Sequence, residues 1–162
     1  MQKIVTSLWF DNEAEEAANF YIALFPNSRI TNIMYYPEAA TGPSGKPTGS
    51  VLTVDFELDG QQYNALNGGP DFQFSEAVSL IINCETQEEL DHYWDGLLAD
   101  GGRESQCGWL KDKFGMSWQV VPTKLDELMR DPNQKKVEAV TAVMMQSVKL
   151  NIDELQQAYD NA

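Results

Sequence analysis

The feature that most constrains the fold of this chain is a pattern that occurs twice. Laying the first predicted helix over the second brings their apolar residues into coincidence: Ala17 with Leu90, Phe20 with Tyr93, Tyr21 with Trp94, Leu24 with Leu97 and Phe25 with Leu98. The strands that close each copy correspond in the same order: Gly60 with Gly115, Tyr63 with Trp118, Asn64 with Gln119 and Leu66 with Val121. Helix and hairpin matching in one order predict a duplicated β-α-β-β-β unit.

The two copies have predictable boundaries. The first copy occupies about residues 3–70 and the second about residues 76–122, which is shorter because it lacks a counterpart of the Pro/Gly-rich segment at 37–48. Residues 123–160 follow as a C-terminal extension of short helices. With 162 residues, the chain has the length of one domain, so both copies and the extension are predicted to form a single α+β domain over 1–162.

Local signals mark the ends of the predicted elements. Asp11 and Asn12 follow the first strand and are predicted to cap the first helix. Thr86 with Glu89 three residues later is a capping box for the second helix. The pair at 59–60, Asp-Gly, predicts a tight hairpin turn between two strands.

Two tryptophans and one charged run are predicted to have structural roles. Trp9, on the first strand, is predicted to pack against the first helix as a core residue, and Trp118 against the second. The charged run Lys111, Asp112 and Lys113 is predicted to be a solvated turn.

The charge of the chain restricts its partners. Its 25 acidic residues against 11 basic ones give a formal net charge of −14, which repels nucleic acids and anionic membrane surfaces. This charge favours either a cationic ligand or ordinary solubility through self-repulsion, and we favour the second. No leader and no run of about 20 apolar residues is recognisable, so we expect a cytoplasmic protein with Cys84 and Cys107 reduced.

Two amides are the leading candidates for a binding site. Asn64 and Gln119 occupy equivalent positions in the two copies, and alternation places Gln119 on the same strand face as Ser117 and Val121. The amides either bind a polar ligand or satisfy each other or ordered water, and the sequence leaves both open. Trp109 has loop-like flanks and is the better of the nearby tryptophans for stacking a planar or cationic ligand.

Other reactive residues are given structural roles. Cys107 has no base nearby in sequence and is expected to be a structural thiol. Asp55 and Glu57 share one strand face, either as a carboxylate pair for acid/base chemistry or as its solvent side, which we favour. The single histidine, His92, is expected at a helix rim and excludes a site built from several His ligands.

Five segments together resemble one known family: LWFDNEAEEAANFY, LFPNS, FELDGQQYNALNGGP, AVSLIINC and CGWLKDKFGMSWQVVP. They resemble the PhnB-like branch of the glyoxalase/bleomycin-resistance/dioxygenase superfamily, also called the vicinal oxygen chelate superfamily, over about residues 3–160. The resemblance implies two β-α-β-β-β modules whose curved, mostly antiparallel sheets surround a cavity, with the helices outside. It also implies a homodimer, often with strands shared between subunits.

Superfamily enzymes hold a divalent metal with one His, Gln or Glu from each of four strands. By this resemblance the four positions fall near Ile4, Val78 or Ser79, Asn64 and Gln119. Aliphatic, hydroxyl and amide side chains are poor ligands for a divalent ion, so we expect no metal and no cofactor.

Three functions are compatible with this resemblance. The first is a metal-free small-molecule-binding protein that uses Asn64, Ser79, Trp109 and Gln119. The second is a lyase, isomerase or dioxygenase that holds a metal unusually, with Asp55 or Glu57. The third sequesters a cationic toxic compound, as bleomycin-resistance relatives do. Many relatives are labelled demethylubiquinone methyltransferases, but the sequence has no glycine-rich loop between a strand and a helix for S-adenosylmethionine, so we expect no methyl transfer.

Overall fold

The computed structural model describes residues 2–40 and 45–162. The predicted Pro/Gly-rich loop at 37–48 therefore lies partly outside the described residues. The chain divides into two compact units, with the boundary between Gln73 and Phe74. Within the described ranges, none of the helices has the length and apolar character that a membrane span requires.

The first unit is one four-stranded sheet with a helix. The strands are ordered β1-β4-β3-β2, with β1 parallel to β4 and the other neighbours antiparallel. The elements are β1 (Thr6–Phe10), α1 (Ala14–Leu24), β2 (Arg29–Tyr35), β3 (Val51–Leu58) and β4 (Gln61–Asn67).

The second unit repeats this topology and adds helices. Its strands are ordered β5-β8-β7-β6, again with one parallel pair, β5 with β8. The elements are β5 (Ser79–Cys84), α2 (Gln87–Leu98), β6 (Arg103–Glu104), β7 (Trp109–Lys111), β8 (Ser117–Pro122), α3 (Thr123–Met129), α4 (Gln134–Gln146) and α5 (Ile152–Asp160). The predicted α+β fold with two β-α-β-β-β copies is confirmed.

In each unit, alternate strand residues form a core against the helix. The first sheet buries Leu8, Phe10, Val54, Phe56 and Ala65, and α1 buries Ala14, Ala17, Ala18 and Tyr21 against it. The Tyr21 and Phe56 rings stack with their centroids 6.3 Å apart. Burying a side chain as large as Phe56 stabilises the unit by about 1.5–3 kcal/mol, so these strand faces are fixed by the hydrophobic effect.

The second core has the same arrangement. Its buried residues are Ile82, Leu110, Trp118 and Val120 from the sheet, and Leu90, Tyr93, Trp94 and Leu97 from α2. The expected core position of Trp118 is thus correct.

The hairpin and the second helix start form as predicted. Asp59 and Gly60 both have positive φ, 45° and 80°, as a two-residue hairpin turn requires. The Thr86 hydroxyl accepts the Glu89 backbone N–H at 3.1 Å. The Glu89 carboxylate accepts the N–H of Glu85 at 2.7 Å, one residue before the box predicts.

The start of α1 differs from the prediction. Neither Asp11 nor Asn12 caps the helix, which begins at Ala14. The Ala14 N–H donates instead to Oδ1 of Asn67 at 2.9 Å, because Asn67 is paired with Phe10 at the end of β4 and lies beside the helix start. The Asn67 Nδ2 donates to the Val51 carbonyl at 3.1 Å, so one buried carboxamide joins α1, β3 and β4.

The predicted solvated turn at 111–113 is wrong for Asp112. This residue is 3% exposed, and its carboxylate accepts the backbone N–H groups of Phe114 and Met116 at 2.9 and 3.0 Å. It also accepts the Trp118 indole N–H at 2.8 Å. Three donors offset the cost of burying the charge and hold the turn between β7 and β8 against the core.

We predict that Asp112→Ala destabilises the protein by about 3 kcal/mol, because three donors lose a buried charged acceptor. Urea unfolding followed by far-UV circular dichroism measures this change. Asp126→Ala is the control: that carboxylate is exposed, pairs with Arg130 one helical turn away, and should change stability by no more than about 0.5 kcal/mol. Equal stabilities of the two variants would contradict the role assigned to Asp112.

Candidate functional site

Each sheet has one face that its own unit's first helix leaves uncovered, which we call the open face. On the first sheet it carries the strand residues that alternate with the core, including Ser7, Trp9, Asp55 and Asn64. The prediction that Trp9 packs against α1 is wrong, because Leu8 and Phe10 occupy the helix side of β1. The Trp9 indole instead donates to the Gly69 carbonyl at 2.8 Å, and its ring meets Phe72 edge-on at 4.9 Å.

A hydrogen-bonded row of polar side chains crosses all four strands of the first sheet. Register places Ser7, Asn64, Asp55 and Asn32 side by side. The Ser7 hydroxyl donates to Asn64 Oδ1 at 3.1 Å, and Asn64 Nδ2 donates to Asp55 Oδ1 at 2.6 Å. Asn32 Nδ2 donates to the other oxygen of Asp55 at 3.3 Å. We call these four residues the polar row.

The polar row uses part of the hydrogen-bonding capacity of Asn64. A carboxamide has two N–H donors and two acceptor lone pairs, and Asn64 uses one of each for Asp55 and Ser7. Each Asp55 oxygen accepts one amide N–H and retains a second lone pair. The carboxylate is therefore oriented by its neighbours and still able to accept from a further group.

The polar row lies between two other rows on the same face. On one side Arg29 and Glu57 form an ion pair at 3.2 Å. On the other side an apolar row contains Met34, Thr53, Leu66 and Trp9 in register across the strands. The Thr53 hydroxyl is inaccessible and has no hydrogen-bond partner within the described part of the chain.

The second sheet brings three of the four predicted site residues together on its open face. Gln119 is in register with Ile81 on β5 and with Trp109 on β7. Its Nε2 donates to the Ser79 hydroxyl at 2.9 Å. Gln119, Ser79 and Trp109 are half-buried, and Ile81 is 57% exposed. The fourth predicted residue, Asn64, belongs to the first unit.

Ser117 adds a polar atom to the second open face. It shares this face with Gln119, is 1% exposed, and is in register with Ser79 and Lys111. Its hydroxyl has no hydrogen-bond partner among the residues described. This buried donor is a place where the second sheet leaves a hydrogen-bond requirement unmet.

The residues present do not fit the divalent metal of the superfamily. Of the positions expected for the first-strand ligands, Ile4 and Val78 precede their strands and are 87% and 65% exposed, whereas the alternative Ser79 begins β5. The actual parallel neighbours of Asn64 and Gln119 are Ser7 and Ile81, a hydroxyl and an aliphatic chain. Among the described residues, His, Cys, Asp and Glu form no group of three that could hold a metal ion. Neutral hydroxyl and amide groups are weak ligands for a divalent ion, and an aliphatic side chain is no ligand at all.

The cysteines and the histidine do not form a catalytic group. Burial raises the pKa of the Cys84 thiol to about 12, and the thiol is fully buried. Cys107 is half-buried, and its sulfur lies 3.9 Å from the Met145 sulfur. His92 is exposed on α2, as expected for a helix rim.

An open groove of about 560 Å³ lies along α4 and α5. Its lining includes Gln146, Lys149, Glu154 and Gln157, and none of the four predicted site residues belongs to it. Its mixed charges give it no evident ligand preference.

Comparisons with known proteins point to one family. The family model described as 3-demethylubiquinone-9 3-methyltransferase matches residues 2–121. A solved structure from Bacillus cereus, described as a protein of this kind and as a PhnB protein, has 38% sequence identity and a TM-score of 0.66. That match covers 75% of this chain and 100% of the other. No curated protein matches the chain.

More distant solved structures share the fold alone. A protein from Pseudomonas aeruginosa is 18% identical with a TM-score of 0.59, covering 75% of this chain and 98% of its own. The fosfomycin resistance protein FosX from Listeria monocytogenes is 12% identical with a TM-score of 0.51, covering 78% and 97%.

We predict that one of the two thiols reacts with Ellman's reagent in the native protein at pH 8. With its pKa near 12, only about one Cys84 thiol in 10⁴ is ionised at that pH, and the group is also inaccessible. The absorbance change should correspond to one thiol per chain in buffer and two in denaturant. Cys107→Ser should remove the native reaction, and a fast native reaction in that variant would show the assignment to be wrong.

Proposed function

Because the chain belongs to the PhnB-like family described as 3-demethylubiquinone-9 3-methyltransferase and has the glyoxalase/bleomycin-resistance fold, we propose that it is a small-molecule-binding protein. Neutral side chains bind the ligand: Ser79, Trp109 and Gln119 form the site on the second sheet, and Asn64 is a separate candidate on the first sheet. No divalent metal takes part.

The observation that carries this proposal is the cluster on the second open face. The Gln119 carboxamide is oriented by Ser79 and makes no other hydrogen bond within the described residues, so one N–H and the carbonyl oxygen are available. Trp109 lies opposite Gln119 and offers a half-buried aromatic surface. An apolar surface with a few oriented polar groups is the usual composition of a small-molecule site.

The chemistry of the donors supports a metal-free site. A divalent cation requires several carboxylate, imidazole or thiolate ligands. The parallel strand neighbours of the two amides are Ser7 and Ile81, and their antiparallel neighbours are Asp55 and Trp109, so Asp55 is the one carboxylate beside them. The same amides suit a carbonyl, hydroxyl or amide of an organic ligand, since they both donate and accept.

The methyl transfer named in the family description is not part of the proposal. The strand-to-helix connections where S-adenosylmethionine would need a glycine-rich turn read Asp11-Asn12-Glu13 and Glu85-Thr86. Both are acidic and contain no glycine. Each sheet has one parallel strand pair instead of the doubly wound parallel sheet on which such cofactors bind.

We place this binding protein in the cytoplasm as a homodimer without nucleic-acid or membrane partners. The net charge of −14 supports the absence of phosphate-rich partners, because binding them requires Lys and Arg. The dimer rests on the superfamily resemblance, and light scattering of the purified protein tests it.

We predict that some members of a fragment library bind the metal-free protein and raise its melting temperature. Gln119→Ala or Trp109→Ala should raise the Kd of the tightest-binding fragments at least tenfold, which corresponds to about 1.4 kcal/mol. Gln156→Ala, on α5 and outside both open faces, is the matched control and should leave the Kd values unchanged. Elemental analysis should find well under one metal ion per chain.

Three results would contradict this proposal. They are near-stoichiometric zinc or manganese, a library without any hit, or tight binding of S-adenosylmethionine when it is included in the screen. The first would favour a metal-dependent lyase, isomerase or dioxygenase instead.

A further inference from the structure

Asp55 and Glu57 lie on one face of β3 but have opposite electrostatic surroundings. Glu57 is paired with Arg29. Asp55 is bonded by two neutral amides, and no cationic side chain of the described residues lies within ion-pair distance of it. The first open face thus carries one half-buried carboxylate whose negative charge is oriented but not neutralised.

The amides around Asp55 position it for a further partner. Asn64 holds one oxygen at 2.6 Å and Asn32 holds the other at 3.3 Å, each from a neighbouring strand. Amide donors fix the plane of a carboxylate while leaving its charge in place, and each oxygen keeps a free lone pair. Asn64 and Asn32 are positioning residues in this arrangement.

An apolar surface adjoins the carboxylate. The next row, two residues away on each strand and so about 7 Å distant, contains Met34, Leu66 and Trp9, with Thr53 as its member on β3. Met34 is 48% exposed. A ligand that spans both rows needs an apolar body on one side and a positively charged hydrogen-bond donor on the other.

From this juxtaposition we propose that the first sheet binds an organic amine, with its ammonium group on Asp55 and its hydrocarbon part on Met34, Leu66 and Trp9. The inference rests on the proposed small-molecule function and specifies the ligand class and a binding residue. An ammonium group has three N–H donors, which Asp55, the free lone pair of Asn64 and the Ser7 hydroxyl can accept. A metal ion is a poorer fit, because one carboxylate supplies too few ligands.

The net negative charge of the chain also favours binding of an amine, but it favours every other cation equally. A net charge of −14 attracts any cation and raises the rate of encounter, and salt screens this effect. The half-buried Asp55 instead discriminates between an amine and a neutral molecule of the same shape. Discrimination that persists at high salt therefore separates the site from general attraction.

The test compares a panel of primary arylalkyl and alkyl amines with their alcohol isosteres, such as phenethylamine with 2-phenylethanol. Tryptophan fluorescence and thermal shift are measured at low and high salt. We expect at least one amine to bind tenfold or more tightly than its alcohol at both salt concentrations. Asp55→Asn keeps the shape of the side chain and should remove this preference, and Asp55→Ser is a second variant if the first folds poorly. Glu57→Gln is the matched control and should retain the preference.

Every outcome decides the inference. Equal binding of amines and alcohols, an amine preference that survives in Asp55→Asn, or one that is lost in Glu57→Gln overturns it. Absence of amine binding also overturns it, and the proposed function then stands if the fragment library yields neutral ligands that depend on Gln119 or Trp109. A library without hits removes the proposed function as well.

Discussion

The structure depends on the alternation of side chains between the two faces of each strand. Successive side chains of a strand point to opposite faces, so a helix packed on one face commits every second residue to the core. In the first sheet this commitment fixes Leu8, Val54, Phe56 and Ala65, and it leaves Ser7, Asp55 and Asn64 together on the other side. The register that the hydrophobic core enforces is therefore also the register that assembles the polar row. A slip of one residue would exchange the two sets.

The sequence is sufficient to predict what is local or periodic. The helices follow from apolar spacing, the turn at Asp59 follows from its dipeptide, and the face of Gln119 follows from alternation along β8. The repeated pattern predicts the duplicated topology, because each copy needs the same core on the same side of its sheet. These inferences require no knowledge of which strands are neighbours.

Contacts between strands distant in sequence could not be predicted in this way. Asn67 replaces Asp11 at the start of α1 because β4 ends beside that helix, and this neighbourhood exists only in the folded sheet. In the sequence Asp112 resembles a surface turn residue, and only the folded structure shows that the Trp118 indole donates a hydrogen bond to it. The parallel partners of Asn64 and Gln119, Ser7 and Ile81, depend on strand registers that exist only in the folded sheets. The sequence does show the polar residues of this row alternating with apolar ones along each strand. It does not show which of these polar residues lie side by side on neighbouring strands.

Asn67 has a consequence for how this fold can vary. Its carboxamide accepts from Ala14 and donates to Val51, so an aspartate would lack the donor and a leucine would lack both groups. The chemistry that anchors α1 thus comes from the helix side of the sheet and makes no demand on the opposite side. Substitutions there leave this anchor of α1 in place, so the same helix-on-sheet core can carry different side chains on its other surface.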